Sequence, residues 1–343
     1  LQAGAFEETK SVLKWTKDGL MAVFFFVVGL EIKYEILKGE LSNPRKLAMP
    51  VFAAVGGMVA PALVFLAFNL GEGGHPNGWP IPTATDIAFA LAALAIAAPR
   101  APAALRVFLL TLAIADDLGA VMLIAILFTS ELNLPALGGA LVGLAFMVWI
   151  GRWKHIPPLL FAAAFLVVWA FTLKSGVNTS LAGVAAALTV PIKPRRDGEE
   201  GVLKHYMEAL HPYVAYGILP FFAFVAAGFS FSAFPAEGIL APLPMGIALG
   251  LLLGKPIGVF GAAALASALK LGQRPSGSTW LQLFGVSMLC GVGFTMSLFI
   301  GGLAFHDPAT ASEVQLGVVA GSVLSVVAGI LTLKLASRFT GDR

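Results

Sequence analysis

Residues 105–128 read LRVFLLTLAIADDLGAVMLIAILF, an apolar run with two adjacent carboxylates, Asp116 and Asp117, at its middle. A run of this length and character crosses a bilayer as a helix. Each carboxylate at the centre of such a helix costs roughly 2.5–3.5 kcal/mol on insertion scales, and the usual reason to carry one is handling an ion or a proton. Neighbouring helix positions point about 100° apart, so the pair cannot share one face. One can line an aqueous cavity while the other meets a partner on a neighbouring helix. A carboxylate titrating near neutral pH alternates between a proton and a cation, and that competition is enough to make an exchanger. The competing reading is a hairpin turn at Asp-Asp, but each half-helix is too short to span.

The whole chain agrees with its central run. Its 343 residues are 58% hydrophobic and 12% charged, with a mean hydropathy of +0.87. A soluble domain carries about 25% charged residues. The apolar runs are continuous, whereas barrel strands alternate over about 10 residues, so the expected fold class is an all-α polytopic membrane protein. The single Cys290 excludes an intrachain disulfide framework. His75, His155, His205, His211 and His306 are scattered, without metal-site spacing. Zinc and haem chemistry are therefore not expected, nor is any other cofactor. No nucleophile–base arrangement points to an enzyme.

Eleven apolar segments are expected, at 12–37, 47–70, 81–98, 102–128, 134–151, 157–172, 177–191, 205–229, 243–268, 280–304 and 312–337. The sixth and seventh are short, either one broken pair or two short packed helices. Basic residues mark every second loop: Lys33, Lys38, Arg45 and Lys46; Arg100 and Arg106; Arg152 and Lys154; Lys193, Arg195, Arg196 and Lys204; Lys270 and Arg274; Lys334, Arg338 and Arg343. The loops 71–80, 129–133, 230–242 and 305–311 contain no Lys or Arg, and 173–176 has only Lys174. The positive-inside rule then puts the C-terminus and the 192–204 loop in the cytoplasm. Eleven spans leave Leu1 outside, against the Lys10, Lys14 and Lys17 cluster. A preceding helix, absent from this sequence, would restore the rule and give twelve.

Segments two to four (47–128) and nine to eleven (243–337) are related triplets of opposite orientation. Each has a middle helix broken by helix-unfriendly residues, at Pro82-Thr83-Ala84-Thr85-Asp86 and at Gly291-Val292-Gly293-Phe294-Thr295. Paired interrupted spans mark a transporter's midplane site. Lys255, flanked by Gly254 and Pro256, sits at the centre of segment nine. Its stem cannot reach either interface, so an aspartate of segment four is its natural partner. Asp86 opens the second half of a broken helix. It reads both as an N-cap and as an anion for the partly positive helix ends, and Thr85 and Thr83 add hydroxyl oxygens of the kind sodium prefers. Glu31 and Glu35 lie one turn apart at the cytoplasmic side, as do Glu208 and His211 near Lys204. Solvated helix ends explain Glu35 and Lys204. The sharper reading is a proton-sensing mouth.

Seven collinear blocks, DGLMAVFFFVVGLEIKYEI (18–36), ATDIAFALAAL (84–94), LAIADDLGA (112–120), LKSGVNTSLAG (173–183), LHPYVAYGILPFFAFVAAG (210–228), LLLGKPIG (251–258) and LCGVGFTMSLFI (289–300), resemble the NhaA-type bacterial sodium/proton antiporters. That family is itself a type example of inverted repeats, so the repeat reading is not independent of it. The resemblance implies a twelve-helix fold whose two interrupted helices cross at the bilayer midplane. It makes Asp117 the principal sodium ligand and proton carrier, pairs Asp116 with Lys255, one or both of which would carry a second proton, and has Asp86 with Thr85 stabilise the crossing. Gly291, Gly293 and Phe294 would supply unwound backbone. Glu31, Glu35, Glu208, Lys204, His211 and Asp18 would fall in a cytoplasmic pH-response region. The family is usually a homodimer through a hairpin between its first two helices. Better-known members carry His at the place of Asn178 and a basic residue at that of Tyr34.

The expected function is a secondary antiporter of the bacterial inner membrane, embedded in lipid, that moves Na+ or Li+ out against protons, without a nucleic-acid partner. More than one proton per cation makes the exchange electrogenic. A cation channel and an organic-solute symporter of similar fold are the alternatives. A channel wants an open ring of sites, often from several subunits, rather than a Lys facing an Asp.

Overall fold

The computed structural model of the chain describes residues 2–3, 6–7, 12–39, 44–129, 132–153, 157–192, 201–228 and 240–340. Most of the 192–204 loop, and the basic residues Lys10, Lys154, Lys193, Arg195, Arg196 and Arg343, lie outside these. The described residues are helical but for short links and a two-residue antiparallel pair, Gln2–Ala3 with Phe6–Glu7. In chain order the α-helices of eight residues or more are α1 (Met21–Leu37), α2 (Pro44–Asn69), α3 (Ile87–Ala97), α4 (Ala103–Leu127), α5 (Leu134–Gly151), α6 (Pro158–Lys174) and α7 (Thr179–Thr189). There follow α8 (Val202–Tyr213), α9 (Leu219–Ala226), α10 (Pro242–Leu249), α11 (Lys255–Ala268), α12 (Trp280–Leu289), α13 (Phe294–Ala304) and α14 (Pro308–Thr340).

Among the described residues, six helical runs are long and apolar enough to cross a membrane. Two bent helix pairs pass the same test when taken together: Pro76–Thr83 with α3, by 45°, and α12 with α13, by 43°. The sixth and seventh segments are two separate helices. They are joined by a turn with Gly176 at φ 82°, and Asn178 caps α7 by accepting from the Ser180 backbone N–H at 3.0 Å. With 11 residues, α7 covers about 16 Å, roughly half the hydrocarbon thickness. Five-residue π turns at Thr16–Leu20, Val214–Ile218 and Gly250–Gly254 lead into α1, α9 and α11. The last has a local cause. Pro256 has no N–H, and the Lys255 N–H reaches back to the Gly250 carbonyl.

The chain forms two compact units, Leu1–Tyr34 with Ile124–Ala226, and Glu35–Leu123 with Ala227–Arg343. In the second, α2 lies against α11 through its small residues. A Cβ on Gly56 or on Gly258 would run into the other's carbonyl, so the two backbones touch. Lipid is as apolar as leucine, so spans are held by close packing of small residues rather than by hydrophobic drive. Four of the larger side chains of α2, Phe52, Val55, Val59 and Leu63, are exposed, whereas Met49 and Phe65 are buried. The core of this unit gathers Ala53, Leu94, Leu109, Val259, Val286 and Leu333.

In the first unit, Phe26 and Leu30 of α1 pack with Met147, Phe161, Val168 and Ala186. Lys33 Nζ donates to the carbonyls of Leu188 and Val190, both at 2.6 Å, and so caps the C-terminal end of α7 with a cation. Trp169 Nε1 donates to the Asp18 carbonyl at 2.6 Å, tying α6 to the Thr16–Leu20 π turn.

Candidate functional site

The site lies in the second unit, where two interrupted spans meet. The first span is broken at Ala84-Thr85-Asp86, with Ala84 and Asp86 extended. Before the break are two short 3-10 turns, Pro76–Gly78 and Ile81–Thr83, because Pro76, Pro80 and Pro82 deny the regular ladder its donors. The second span is broken at residues 290–293. Gly291 and Gly293 lie in this link, whereas Phe294 opens α13 rather than belonging to the unwound backbone.

A broken helix exposes carbonyls at one end and N–H groups at the other, and each must find a partner. Here each span satisfies the other. The Asp86 backbone N–H donates to the Val292 carbonyl at 2.6 Å. Thr85 Oγ1 donates to the Cys290 carbonyl at 2.9 Å, and Ser297 Oγ to the Ile81 carbonyl at 2.7 Å. The Phe294 N–H donates to Ser322 Oγ of α14 at 3.1 Å. The Asp86 carboxylate joins both second halves. Its Oδ1 accepts from the Phe89 N–H of α3 at 3.3 Å, and its Oδ2 from the Thr295 N–H of α13 at 3.1 Å and from the Thr295 hydroxyl. One anion thus faces the positive ends of two helices.

Beside this crossing, α4 presents Asp116 and Asp117, 1% and 3% exposed. Lys255, 0% exposed, opens α11 directly after the π turn. Its Nζ donates to Asp116 Oδ2 at 2.6 Å, and Thr85 adjoins the same carboxylate. Asp116 Oδ1 has no hydrogen-bond partner among the described residues. The two buried charges neutralise each other, the condition under which a buried ion pair is tolerated.

The cytoplasmic candidates divide. In the first unit, His211 Nδ1 lies 3.5 Å from Glu31 Oε1, and Lys204 pairs with Glu208 at 3.5 Å across one turn of α8. Asp18 lies in the π turn before α1. It is roughly 20 Å along the span from Glu31, so the two are not neighbours on one face. Glu35 belongs to the second unit.

Sequence reading missed Ser297 and Ser322, and gave Thr295 no role beyond its place in the GVGFT stretch. These hydroxyls hold the crossing together. Their one signal is that they fall in or opposite the break.

Two interrupted spans meeting at a carboxylate, beside a buried aspartate–lysine pair, are the parts of a secondary transporter for a small cation. The sequence model described as Na+/H+ antiporter 1 matches residues 1–333, and the chain belongs to that family. It is similar to the Na(+)/H(+) antiporter NhaA of Rhizorhabdus wittichii, 51% identical over 332 residues that cover 96% of this chain and 87% of that one. The Na(+)/H(+) antiporter NhaA 2 of Pseudomonas syringae pv. syringae is 49% identical over 94% of this chain and 83% of its own. That of Bordetella parapertussis, named Na(+)/H(+) antiporter NhaA, is 49% identical over 96% and 84%.

Proposed function

We propose that this protein exchanges sodium or lithium for protons across the bacterial inner membrane, with its C-terminus in the cytoplasm. The observation that carries the reading is the Lys255–Asp116 contact, buried beside a second carboxylate, Asp117. A cation arriving between the two carboxylates displaces the proton held by Asp117. It also competes with the Lys255 ammonium for Asp116. When Lys255 gives up its proton as well, two protons leave for one cation, and the exchange moves net charge. The membrane potential then contributes about 2.3 kcal/mol per net charge per 100 mV. Asp86 with Thr85 keeps the two breaks in register while the site opens to either side in turn. Residues 47–128 and 243–337 act as inverted repeats that frame it. Glu31, Glu208, Lys204 and His211 of the first unit are the candidates for a cytoplasmic pH response, and Glu35 of the second unit is a separate one.

Reconstituted vesicles with an acid interior test this. Adding sodium or lithium outside should raise lumenal pH, and a voltage clamp imposed with a potassium ionophore should change the rate. Sodium entry with no movement of protons would contradict the assignment and favour a channel.

A further inference from the structure

We propose that the recess between the end of α11 and the start of α12 binds a phosphate group, presented by an anionic phospholipid or as free inorganic phosphate. The recess has a volume of about 570 Å³, and among its lining residues are Ser267, Lys270, Arg274, Ser276 and Trp280, with no acidic residue among them. Two cations and two hydroxyls around an open cavity are a donor set for a phosphate oxyanion. The Arg274 guanidinium lies over the Trp280 ring, 5.7 Å from its centre, which holds one cation at the rim.

The backbone adds a second observation. The chain leaves α11 with the Leu271 N–H donating to the Ala266 carbonyl at 2.9 Å, and Lys270 sits in the left-handed position of that turn, φ 58°. Glycine fills this position with least strain. The turn's backbone therefore calls for no side chain there, whereas the recess gains an ammonium. The location fits a lipid source. The recess opens where a membrane-spanning run ends at Ala268, beside an indole of the kind found at bilayer interfaces. A phosphate held here would clasp the ends of two helices. One, α11, begins at Lys255. The other, α12, leads to the 290–293 link.

The test uses the whole protein in nanodiscs of pure phosphatidylcholine, in discs one-third phosphatidylglycerol, and in pure phosphatidylcholine with added inorganic phosphate. Thermal unfolding midpoints are compared for the wild type, Lys270→Gly, and Lys270→Gly with Arg274→Gln. The wild type should unfold several degrees higher with phosphatidylglycerol. Lys270→Gly should unfold at or above the wild type in the neutral disc, since glycine relieves the turn, yet lose most of the increment, and the double variant should lose it all. A gain with inorganic phosphate that also disappears in the variants identifies the free ion as the source. An increment that survives in both variants, or a wild type that responds to neither probe, overturns the proposal.

Discussion

Lys255 Nζ and Asp116 Oδ2 lie 2.6 Å apart on two different helices, with neither side chain more than 1% exposed. Two opposite charges at this depth are tolerable together and costly singly. Lys255→Ala should therefore cost about 3–5 kcal/mol of stability, because it leaves a buried carboxylate alone. Adding Asp116→Asn to it should return most of that loss. Thermal unfolding of the two single variants and the double variant gives the coupling directly. A coupling below about 1 kcal/mol, the size of a surface pair, would show that water reaches the pair.

Asp86 joins α3 and α13 through three hydrogen bonds that it accepts. Thr295→Val removes one of them while keeping the shape, and should destabilise by about 1–2 kcal/mol. Asp86→Asn keeps the size and removes the charge between two positive helix ends, so its loss should be larger, about 2–3 kcal/mol. Equal losses would mean that the charge adds nothing beyond hydrogen bonding.

At the start of α14, Asp307 Oδ2 accepts from the Thr310 backbone N–H at 3.0 Å, and that hydrogen bond holds its carboxyl below the usual range. A depressed carboxylate stabilises the turn above its unfolded value and releases it as pH falls through the folded one. Hydrogen exchange of the first turn of α14 should therefore quicken below about pH 4, relative to the intrinsic rate. Asp307→Asn should abolish that acid step, since an amide caps at any pH.

The burial of Asp116 and Asp117, the partnership of Lys255 with a segment-four aspartate and the two helix breaks were all legible in the sequence. Charge inside an apolar run, and Pro or Gly inside a helix, are local signals with few physical explanations. Asp86 and Thr85 at the crossing were legible too, but the serine hydroxyls that complete it were not. Ser287 donates to the carbonyl four residues back on its own helix, and Thr332 does the same. Ser297, in an equally apolar stretch, crosses to Ile81 instead. Nothing in the sequence separates these hydroxyls, because the difference lies in which carbonyl a neighbouring span has left free. The 3-10 turns before Asp86 and the helical state of Phe294 were missed for a related reason. Proline and glycine announce that a helix breaks, but the register in which it resumes is set by contacts across the crossing.

In the proposed exchange a proton and a sodium ion exclude each other at the carboxylates of α4. Calorimetric titration of the purified protein with sodium, repeated in buffers of different ionisation enthalpy, counts the protons released per ion bound. Between one and two are expected, with an apparent affinity that weakens roughly tenfold or more per pH unit on the acid side and loss of both binding and release in Asp117→Asn. Sodium binding that releases no proton, or an Asp117→Asn protein that binds and releases as the wild type does, would contradict it.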